Sequence, residues 1–573
     1  MLLSIEPGML TVLLALAAAA APPDALLDAL AAEATRTEAA LGHHADTPLY
    51  YLSYRVRDGV SLDIAASNGA LDASVPPAGS DGRSRILDVD ARVGSPQLDS
   101  SHKIRGGRFD FDGPGFTLPT YLPIEDDPEA LRLGIWQATD RAYKEAANRL
   151  IRVRANEEIK VSEKDRADDF TLATGAEALL PPAQLDVDRA AWAARVKRLS
   201  ARFEAHPLIL HSQVTLDAEA ATDYFVDTQG ARLREPSTFA RVMISASVKA
   251  DDGMELELYR DFEGASPAQL PPEAQLASAV DELAATLEAL RKAPVIDPYT
   301  GPAIIENRAA GVFFHEIFGH RIEGHRQKDA DEGHTFTHKV GQAVLPAFIS
   351  VADDPTADHF GKTWLNGHYA YDDEGTRAQR AQLVANGILE TFLLGRSPLY
   401  GFSQSNGHGR AQPGFAPVAR QGNLIVSSTK QVPFAELRRM LIDEVKRQHK
   451  PYGLLFEDIS GGFTQTRAGY LPQAFKVLPL VVKRVYPDGR PDELVRGVDL
   501  IGTPLTSFEK ILATGDDYDV FNGFCGAESG FVPVSAVAPS LLVGEIEVER
   551  RRPEHDRPPL LPPPALAAPG ATP

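Results

Sequence analysis

The sequence predicts an α+β protein of two domains, an N-terminal domain of mixed helices and strands and a C-terminal domain that is largely antiparallel β. In the N-terminal half, groups of alternating strands separate helices predicted at 24–41, 128–154, 189–205 and 273–293, without a repeating βα unit. In the C-terminal half, alternation at 475–486, 493–500 and 540–549 indicates sheets covered on one face. Two prolines within 292–300 interrupt the last of these helices, so we place the N-terminal domain at 23–295 and the C-terminal domain at 296–550.

The composition indicates a globular protein and excludes some classes of partner. The chain has 573 residues, of which 43% are hydrophobic and 24% charged. Its net charge of -21 repels phosphate backbones, so we expect no nucleic acid partner. Cys525 is the single cysteine in the sequence, which excludes an intramolecular disulfide. A lone thiol is most often a small buried hydrophobe, and a metal ligand is the alternative.

The N-terminal 22 residues resemble a signal peptide. The apolar run at 9–21 is too short for a membrane span of about 20 residues, and two prolines follow it. We therefore expect a signal peptide at 1–22, no stable membrane span, and a periplasmic or secreted protein. No Lys or Arg precedes the run, so an N-terminal helix in a cytoplasmic protein is the alternative. At the other end, 551–573 has too much proline to pack, and we expect it to be disordered.

The segment at 311–327, GVFFHEIFGHRIEGHRQ, contains the residues that indicate a function. His315, Glu316 and His320 form an HExxxH pattern on a segment with apolar residues at helical spacing. The zinc-protease signature is HExxH, in which two imidazoles one turn apart bind one metal and the Glu is a general base. Five steps along a regular helix separate two side chains by about 140° rather than about 40°. A shared metal therefore requires a distorted turn such as a π-bulge, and Gly319 is the residue best able to tolerate it.

This region and a second one, NGFCGAESGFVPVS at 522–535, together resemble the TldD/PmbA family of metallopeptidases. The resemblance implies that His315, His320 and Cys525 bind zinc and that Glu316 is the catalytic base. His325 is the rival third ligand, because HEIFGHRIEGH superficially resembles a three-histidine pattern. We expect Cys525 to lie in a loop between strands predicted at 510–514 and 540–549.

Three other segments carry weaker signals. The RQGN at 420–423 lies where the family has an Arg and an Asn beside the catalytic centre, and a surface ion pair of Arg420 is the alternative. The acidic turn YDDEG at 371–375 is expected to face solvent, and orientation of a ligand imidazole is its alternative role. Asn386 and Gly387, between two apolar stretches, predict a β-hairpin.

The predicted function is hydrolysis of peptide bonds in extended or unfolded peptides by a zinc-dependent peptidase. The resemblance implies a homodimer, or a heterodimer with a related subunit. Two alternatives stay open: a non-catalytic peptide-binding partner subunit, and a zinc amidohydrolase that acts on a non-peptide amide. Intact Glu316 argues against the first, and residue types alone do not distinguish the second.

Overall fold

The computed structural model describes residues 24–75, 82–104, 119–157, 167–328, 332, 335–464, 475–502, 504–551, 559, 561 and 563–566. The predicted signal peptide at 1–22 lies outside the described residues, as does most of the tail predicted to be disordered. Within the described ranges, no helix is both long enough and apolar enough to cross a membrane.

The N-terminal half is built on one large, mostly antiparallel sheet. Its elements are α1 (Ala25–Leu41), β1 (Leu49–Ser67), β2 (Ala70–Val75), β3 (Arg83–Ser95), β4 (Leu98–Asp99), β5 (Thr120–Tyr121), α2 (Pro128–Glu157), β6 (Glu177–Leu179), α3 (Arg189–Ser200), β7 (Ile209–Asp227), β8 (Arg232–Lys249), β9 (Glu255–Gly264) and α4 (Glu273–Lys292). The strand order is β4-β3-β1-β7-β8-β6, with β2 and β5 added beside β1 and β3, and β9 beside β8.

The helices of this half cover one face of the sheet. Residues 51–56 of β1 are all buried, and successive side chains there point to opposite faces of the sheet, so both faces are covered. Tyr54 and Val56 belong to the apolar cluster of α1 and α2, and Ile64 and Ala66 belong to that of α3 and α4. Side chains cap three of these helices, because Asp24 accepts a hydrogen bond from Leu27 N, Asp127 accepts one from Ala130 N and Asp188 accepts one from Ala191 N. The other face of β1 is left for contacts with the C-terminal half.

Strand β1 is longer than the sequence predicts, because its polar middle is paired within the sheet. Alternation suggests separate strands at 50–56 and 60–65, with a turn at the charged residues between them. The Arg57 guanidinium instead pairs with Glu219 and Asp223 of the neighbouring strand β7. Asp58 pairs with Arg83 and Arg85 of β3 on the other side. Cross-strand ion pairs thus allow the polar residues to continue the strand.

The C-terminal half contains two larger sheets. Its elements are β10 (Tyr299–Ile305), α5 (Asn307–Ile317), α6 (His325–Lys328), β11 (Ile349–Asp353), β12 (His359–Phe360), β13 (Thr363–Trp364), β14 (Ala381–Ala385), β15 (Ile388–Leu389), β16 (Gly409–Arg410), β17 (Val418–Ala419), β18 (Asn423–Ser428), β19 (Gln431–Val432), α7 (Phe434–Arg447), β20 (Gly453–Thr464), β21 (Phe475–Val485), β22 (Glu493–Val495), β23 (Val498–Gly502), α8 (Pro504–Glu509), β24 (Ile511–Gly515), β25 (Asp519–Ala527), β26 (Gly530–Ala538) and β27 (Leu541–Arg550).

Helix α5 lies between the two larger sheets of the C-terminal half. One sheet has the order β10-β20-β21-β23-β27-β24-β19, and the other has the order β15-β14-β11-β18-β26-β25. Most pairs in them are antiparallel, as predicted, and β14 and β15 form the predicted hairpin with positive φ at Asn386 and Gly387. Helix α5 packs against β20 of the first sheet and against β25 and β26 of the second. Its side chains from Ala309 to Ile317 are all buried.

The acidic turn at 371–375 lies at the contact between the two halves, so the expectation that it faces solvent is wrong. Asp372 is 5% exposed, and its carboxylate accepts hydrogen bonds from backbone N–H groups. Asp373 pairs with Arg55 of β1, whose guanidinium also pairs with Asp88. Glu374 accepts a hydrogen bond from Arg396 N. The turn therefore joins the N-terminal sheet to the C-terminal half and orients no ligand imidazole.

Glu263 of β9 is a buried carboxyl group that should make the stability of the protein depend on pH. Among the residues that the structure describes, neither of its buried carboxylate oxygens has a hydrogen-bond partner, and its side chain is 2% exposed. Burial and nearby Asp261 and Asp217 raise the pKa of Glu263 to about 8, although Arg241 and Arg308 oppose the shift. The folded protein therefore keeps a proton that the unfolded chain loses above its ordinary pKa of 4.5. Stability is consequently lost as the pH rises from about 4.5 to about 8.

We expect the substitution Glu263→Gln to remove this loss. Relative to wild type, the variant should gain about 2 to 4 kcal/mol between pH 5 and pH 8, at about 1.4 kcal/mol for each pH unit over which the two states differ by one proton. Urea unfolding at several pH values measures the difference. Glu257→Gln, at an exposed position of the same strand, is the control and should leave the slope unchanged. Parallel stability curves for Glu263→Gln and wild type would contradict the assignment.

Candidate metal centre

Helix α5 ends between the two histidines of the HExxxH pattern. The α-helix stops at Ile317, and a 3-10 turn follows over Gly319–Arg321, so the predicted distortion is a helix end rather than a π-bulge. The Arg321 guanidinium closes the helix by donating hydrogen bonds to Glu316 O and Ile317 O. The tighter turn changes the direction of the chain, which allows His320 to face the same space as His315. Their ring centroids lie 5.1 Å apart.

Gly319 is required for a close approach rather than for an unusual backbone angle. A Cβ at this position would lie 1.9 Å from Gln421 Oε1, far inside van der Waals contact. Gln421 is fully buried, and its Nε2 donates a long hydrogen bond of 3.5 Å to His315 O. A side chain at 319 would therefore displace either the turn or Gln421.

Cys525 lies in strand β25, which corrects the expectation that it lies in a loop. β25 and β26 form a hairpin in which Cys525 pairs with Val532. Because α5 packs against this hairpin, the thiol reaches both histidines. Cys525 Sγ lies 3.2 Å from His315 Nε2 and 3.4 Å from His320 Nε2.

The donor atoms of these three residues converge on one buried point. One ligand atom from each of His315, His320 and Cys525 lies within 4.8 Å of the others, and the residues are 4%, 6% and 6% exposed. His315 Nδ1 is buried without a hydrogen-bond partner among the described residues, whereas His320 Nδ1 faces Glu323. Two imidazole nitrogens and one thiolate are a donor set that suits zinc and leave a fourth position open. The residues therefore fit a single metal ion.

The charges of the three residues support one another. Burial opposes ionisation of the Cys525 thiol, but the His320 and His315 imidazoles hold its pKa well below the usual value. Burial likewise opposes protonation of His320, but the Cys525 thiolate and Glu323 raise the imidazole pKa well above its ordinary range. The negative charge of the thiolate and the positive charge of the imidazole thus each favour the other. Because a metal must displace the imidazole proton, its binding should weaken as the pH falls.

Glu316 stands next to His315 and packs against a backbone bulge. The residue is 9% exposed, and its carboxylate accepts no hydrogen bond within the described part of the chain. A Cβ on Gly462 of β20 would lie 2.6 Å from Glu316 Cγ, so the glycine backbone touches the side chain directly. Glu316 is also close enough to His315 to raise the pKa of that imidazole, although burial and Cys525 have larger effects. The carboxylate is therefore unpaired and adjacent to the proposed ligands.

Glu323 and Arg420 contact two of the proposed ligands, His320 and Cys525 respectively. Both side chains are fully buried. The Glu323 carboxylate lies 3.3 Å from His320 Nδ1 and accepts a hydrogen bond from Arg326 Nε at 2.8 Å. Burial raises the pKa of Glu323, but His320 and Arg326 outweigh it and lower the pKa to about 2. This carboxylate fixes the His320 ring so that Nε2 faces Cys525.

Arg420 holds the backbone of the third candidate ligand. Its Nη2 donates to Cys525 O at 2.7 Å, and its Nε lies 3.4 Å from Glu323 Oε1. Of the two roles that the sequence left open for Arg420, the structure excludes the surface ion pair. Sequence reasoning missed Glu323, although its position three residues after His320 is a signal for a contact on one face of a turn.

His325, the rival third ligand, is engaged elsewhere. Its Nε2 forms a hydrogen bond with the Glu528 carboxylate, which also pairs with Arg326. Its nitrogens are not among the atoms that converge with His315 in the described structure. His325 and Glu528 instead connect α6 to the turn of the β25–β26 hairpin.

A cleft of about 730 Å³ lies on the opposite side of that hairpin, between the two halves of the chain. Phe524 and Phe531 line it, together with aromatic residues of both halves such as Phe239 and Trp364. Side chains alternate along a strand, so Phe524 faces this cleft while Cys525 faces α5. The hairpin thus separates the candidate metal centre from the cleft.

The fold and the site define a class of protein with two α+β domains, in which a helix end and an edge strand bring together the donor set of a mononuclear metal centre. Residues 298–550 match the family model described as the PmbA/TldA metallopeptidase C-terminal domain. The C-terminal domain is therefore similar to that of the PmbA/TldA metallopeptidases, which confirms the resemblance seen in the sequence.

Curated relatives align with less than half of the chain. A protein named metalloprotease from Archaeoglobus fulgidus is 28% identical over 240 residues, which cover 42% of this chain and 51% of the relative. The metalloprotease TldD homolog of Haemophilus influenzae is 28% identical over 251 residues, which cover 43% and 48%. The zinc metalloprotease TldD homolog of Saccharolobus solfataricus is 23% identical over 252 residues, which cover 43% and 51%. The match spans about half the length of these relatives.

Solved structures extend the similarity of fold to both halves of the chain. A putative modulator of a DNA gyrase from Thermotoga maritima has a TM-score of 0.58 at 16% identity and covers 90% of this chain and 99% of its own. TldE from Thermococcus kodakarensis has a TM-score of 0.56 at 10% identity and covers 87% and 97%. At these identities the likeness shows the fold alone, and it confirms the α+β, two-domain architecture.

We expect Glu323→Gln to lower zinc affinity about 10- to 100-fold, because the amide no longer attracts the His320 N–H as a carboxylate does. Competition with a chelator of known affinity measures the change. Glu528→Gln is the matched control, since it removes a charge from the same network without touching His315, His320 or Cys525. Its zinc affinity should change less than about twofold. Equal effects of the two substitutions would contradict a specific role for Glu323.

Proposed function

We propose that this protein is a zinc-dependent peptidase that hydrolyses extended or unfolded peptides. The observation that carries the proposal is the convergence of His315, His320 and Cys525 beside the unpaired carboxylate of Glu316. The names of the curated relatives support the activity class, and the name of the Saccharolobus solfataricus relative supports zinc.

His315 Nε2, His320 Nε2 and Cys525 Sγ would hold the zinc ion. The bound ion would supply Lewis-acid chemistry, polarising a carbonyl and making water acidic near neutral pH. The residues around it have separate tasks. Glu323 orients His320, Arg420 holds the Cys525 backbone, and burial of all three proposed ligands keeps bulk water from competing with them.

Glu316 would move the proton in this reaction. A carboxylate without a hydrogen-bond partner is free to accept a proton on an oxygen from the attacking water and to give it to the leaving amine nitrogen. The neighbouring Gly462 limits where the carboxylate can lie. Glutamine at 316 would retain the shape but hold no transferable proton.

The substrate class, an extended or unfolded peptide, is proposed from the resemblance to the TldD/PmbA family and from the names of the curated relatives. Strand β25 stands last in its sheet, but its outer edge is occupied beside the third proposed ligand. Arg420 Nη2 donates a hydrogen bond to Cys525 O, and Asn366 Nδ2 donates one to Gly523 O.

Three proteins test the proposal: wild type, Glu316→Gln and Cys525→Ser. We expect wild type to hold about one zinc and to cleave unfolded peptides. Glu316→Gln should keep the zinc and lose cleavage by about 100-fold or more, because a general base typically contributes 10²- to 10⁴-fold. Cys525→Ser should lose both zinc and cleavage. Elemental analysis and mass-spectrometric detection of products measure the two quantities.

Other outcomes point to other functions. Full zinc and activity in Cys525→Ser would contradict the proposed ligand set. Retention of an extended peptide without cleavage by metal-free wild type would favour a peptide-binding subunit. Cleavage of small non-peptide amides, with peptides left intact, would favour an amidohydrolase.

We further propose that the active species is a pair, formed with a second copy or with a related subunit. The resemblance to TldE supports a related subunit as one candidate. Light scattering of the purified chain should give about twice the mass of 61.9 kDa if it pairs with itself. A monomer with full peptidase activity would contradict the proposal, whereas an inactive monomer activated by a related subunit would identify a heterodimer.

A further inference from the structure

We infer that three consecutive residues of the N-terminal domain, Tyr259, Arg260 and Asp261 of β9, position the proposed base Glu316 through the backbone of β20. We call these residues the β9 clamp. The inference rests on the proposed function, since it concerns the placement of a catalytic group. It goes beyond that function by assigning a task in the reaction to the domain that carries none of the proposed ligands.

Strand β20 contains a bulge where it pairs with β21. The pairing of β20 with β21 is regular up to Phe456, and it then shifts repeatedly between Phe456 and Gly462. Ile459 pairs with Pro479 and Gly462 pairs with Val477, so β20 contains one extra residue in this interval. Such bulges re-aim a strand and are frequent beside active sites. Here the bulge brings Gly462 against the Glu316 side chain.

A hydrogen bond from β9 holds this bulge. Tyr259 OH donates to Ser460 O at 3.0 Å, and Ser460 is one of the residues inside the irregular interval. A carbonyl in a bulge has lost its regular partner in the ladder, so a donor from another element fixes its direction. One residue, Gly461, separates Ser460 from the glycine that touches Glu316.

A set of ion pairs connects β9 to both the bulge in β20 and helix α5. Asp458, at the start of the bulge, is 5% exposed in its side chain and accepts hydrogen bonds from Arg260 and Arg308. Arg308 also pairs with Asp261 at 2.9 Å. Arg308 is in the first turn of α5, the helix that carries Glu316 in its last turn. The β9 clamp therefore contacts the helix and the bulge at once.

Arg308 also links this contact to the third proposed ligand. Its guanidinium carbon lies 5.0 Å from the ring centroid of Phe521 in β25, the strand that carries Cys525, and 5.8 Å from that of Tyr259. A guanidinium at this distance over an aromatic ring is attracted by its face. The helix that carries the proposed base and the strand that carries the third proposed ligand thus share one half-buried arginine, Arg308, which the N-terminal domain holds in place.

The test is Tyr259→Phe, which removes one hydroxyl and keeps the ring beside Arg308. We expect kcat to fall about 3- to 10-fold, as the loss of one hydrogen bond allows, with KM and zinc content unchanged. Hydrogen–deuterium exchange of residues 458–464 should become faster. Tyr486→Phe is the matched control, because its hydroxyl bonds to Glu493 in another part of the fold. It should change none of these quantities.

A combination with Glu316→Asp separates positioning from a general structural effect. If Tyr259 acts through Glu316, Tyr259→Phe should lower kcat much less in the Glu316→Asp background than in wild type. The same loss of kcat in both backgrounds would overturn the inference, and so would unchanged exchange at 458–464. Gly462→Ala provides a direct second variant, since its methyl group would meet Glu316 Cγ. It should keep zinc and lose kcat by more than about tenfold.

Failure of the proposed function has a different signature. If wild type cleaves no peptide, the peptidase proposal falls. Exchange at 458–464 in Tyr259→Phe then still decides whether the β9 clamp holds the bulge.

Discussion

The contact between one thiol and two imidazoles is the constraint on which the C-terminal half depends. Cys525 is 210 residues from His315 and 205 from His320 in sequence. To bring them within 3.4 Å, an edge hairpin must lie across the end of α5, and the helix must end early. The close approach of Gln421 to Gly319 and the grip of Arg420 on the Cys525 carbonyl both follow from that geometry.

Burial of so many charges explains the extent of the polar network around the centre. Glu323 and Arg420 are fully buried, and a charge in such surroundings is tolerated only with a partner of opposite sign and with hydrogen bonds. Each buried group therefore requires another, from His320 through Glu323 to Arg326 and Glu528. The same rule applies where the two halves meet, at Arg55 with Asp373 and at Arg308 with Asp261.

Local patterns predicted the elements, and long-range pairing decided what the patterns left open. The helical spacing of apolar residues before His315 predicts α5, and Asn386-Gly387 predicts a hairpin, because both depend on near neighbours. The sequence predicts a loop around Cys525, between two predicted strands. The segment is a strand because it pairs with β26, and no local pattern reveals that partner. The local pattern similarly places Asp58 in a turn, whereas its pairs with Arg83 and Arg85 of a neighbouring strand keep it within β1. The three candidate ligands were predicted together because the HExxxH segment and the segment around Cys525 resemble one family, whereas the roles of Glu323 and Tyr259 arise only from their contacts.

The hairpin of β25 and β26 has a further consequence for folding fidelity. A slip of one residue in an edge strand turns every side chain to the opposite face. In this hairpin the slip would present Phe524 or Gly526 to the histidines, and the thiol would face the cleft. A chain that pairs in this shifted register would therefore lack the thiol of the donor set, so the three donor atoms converge in the native register and not in the shifted one.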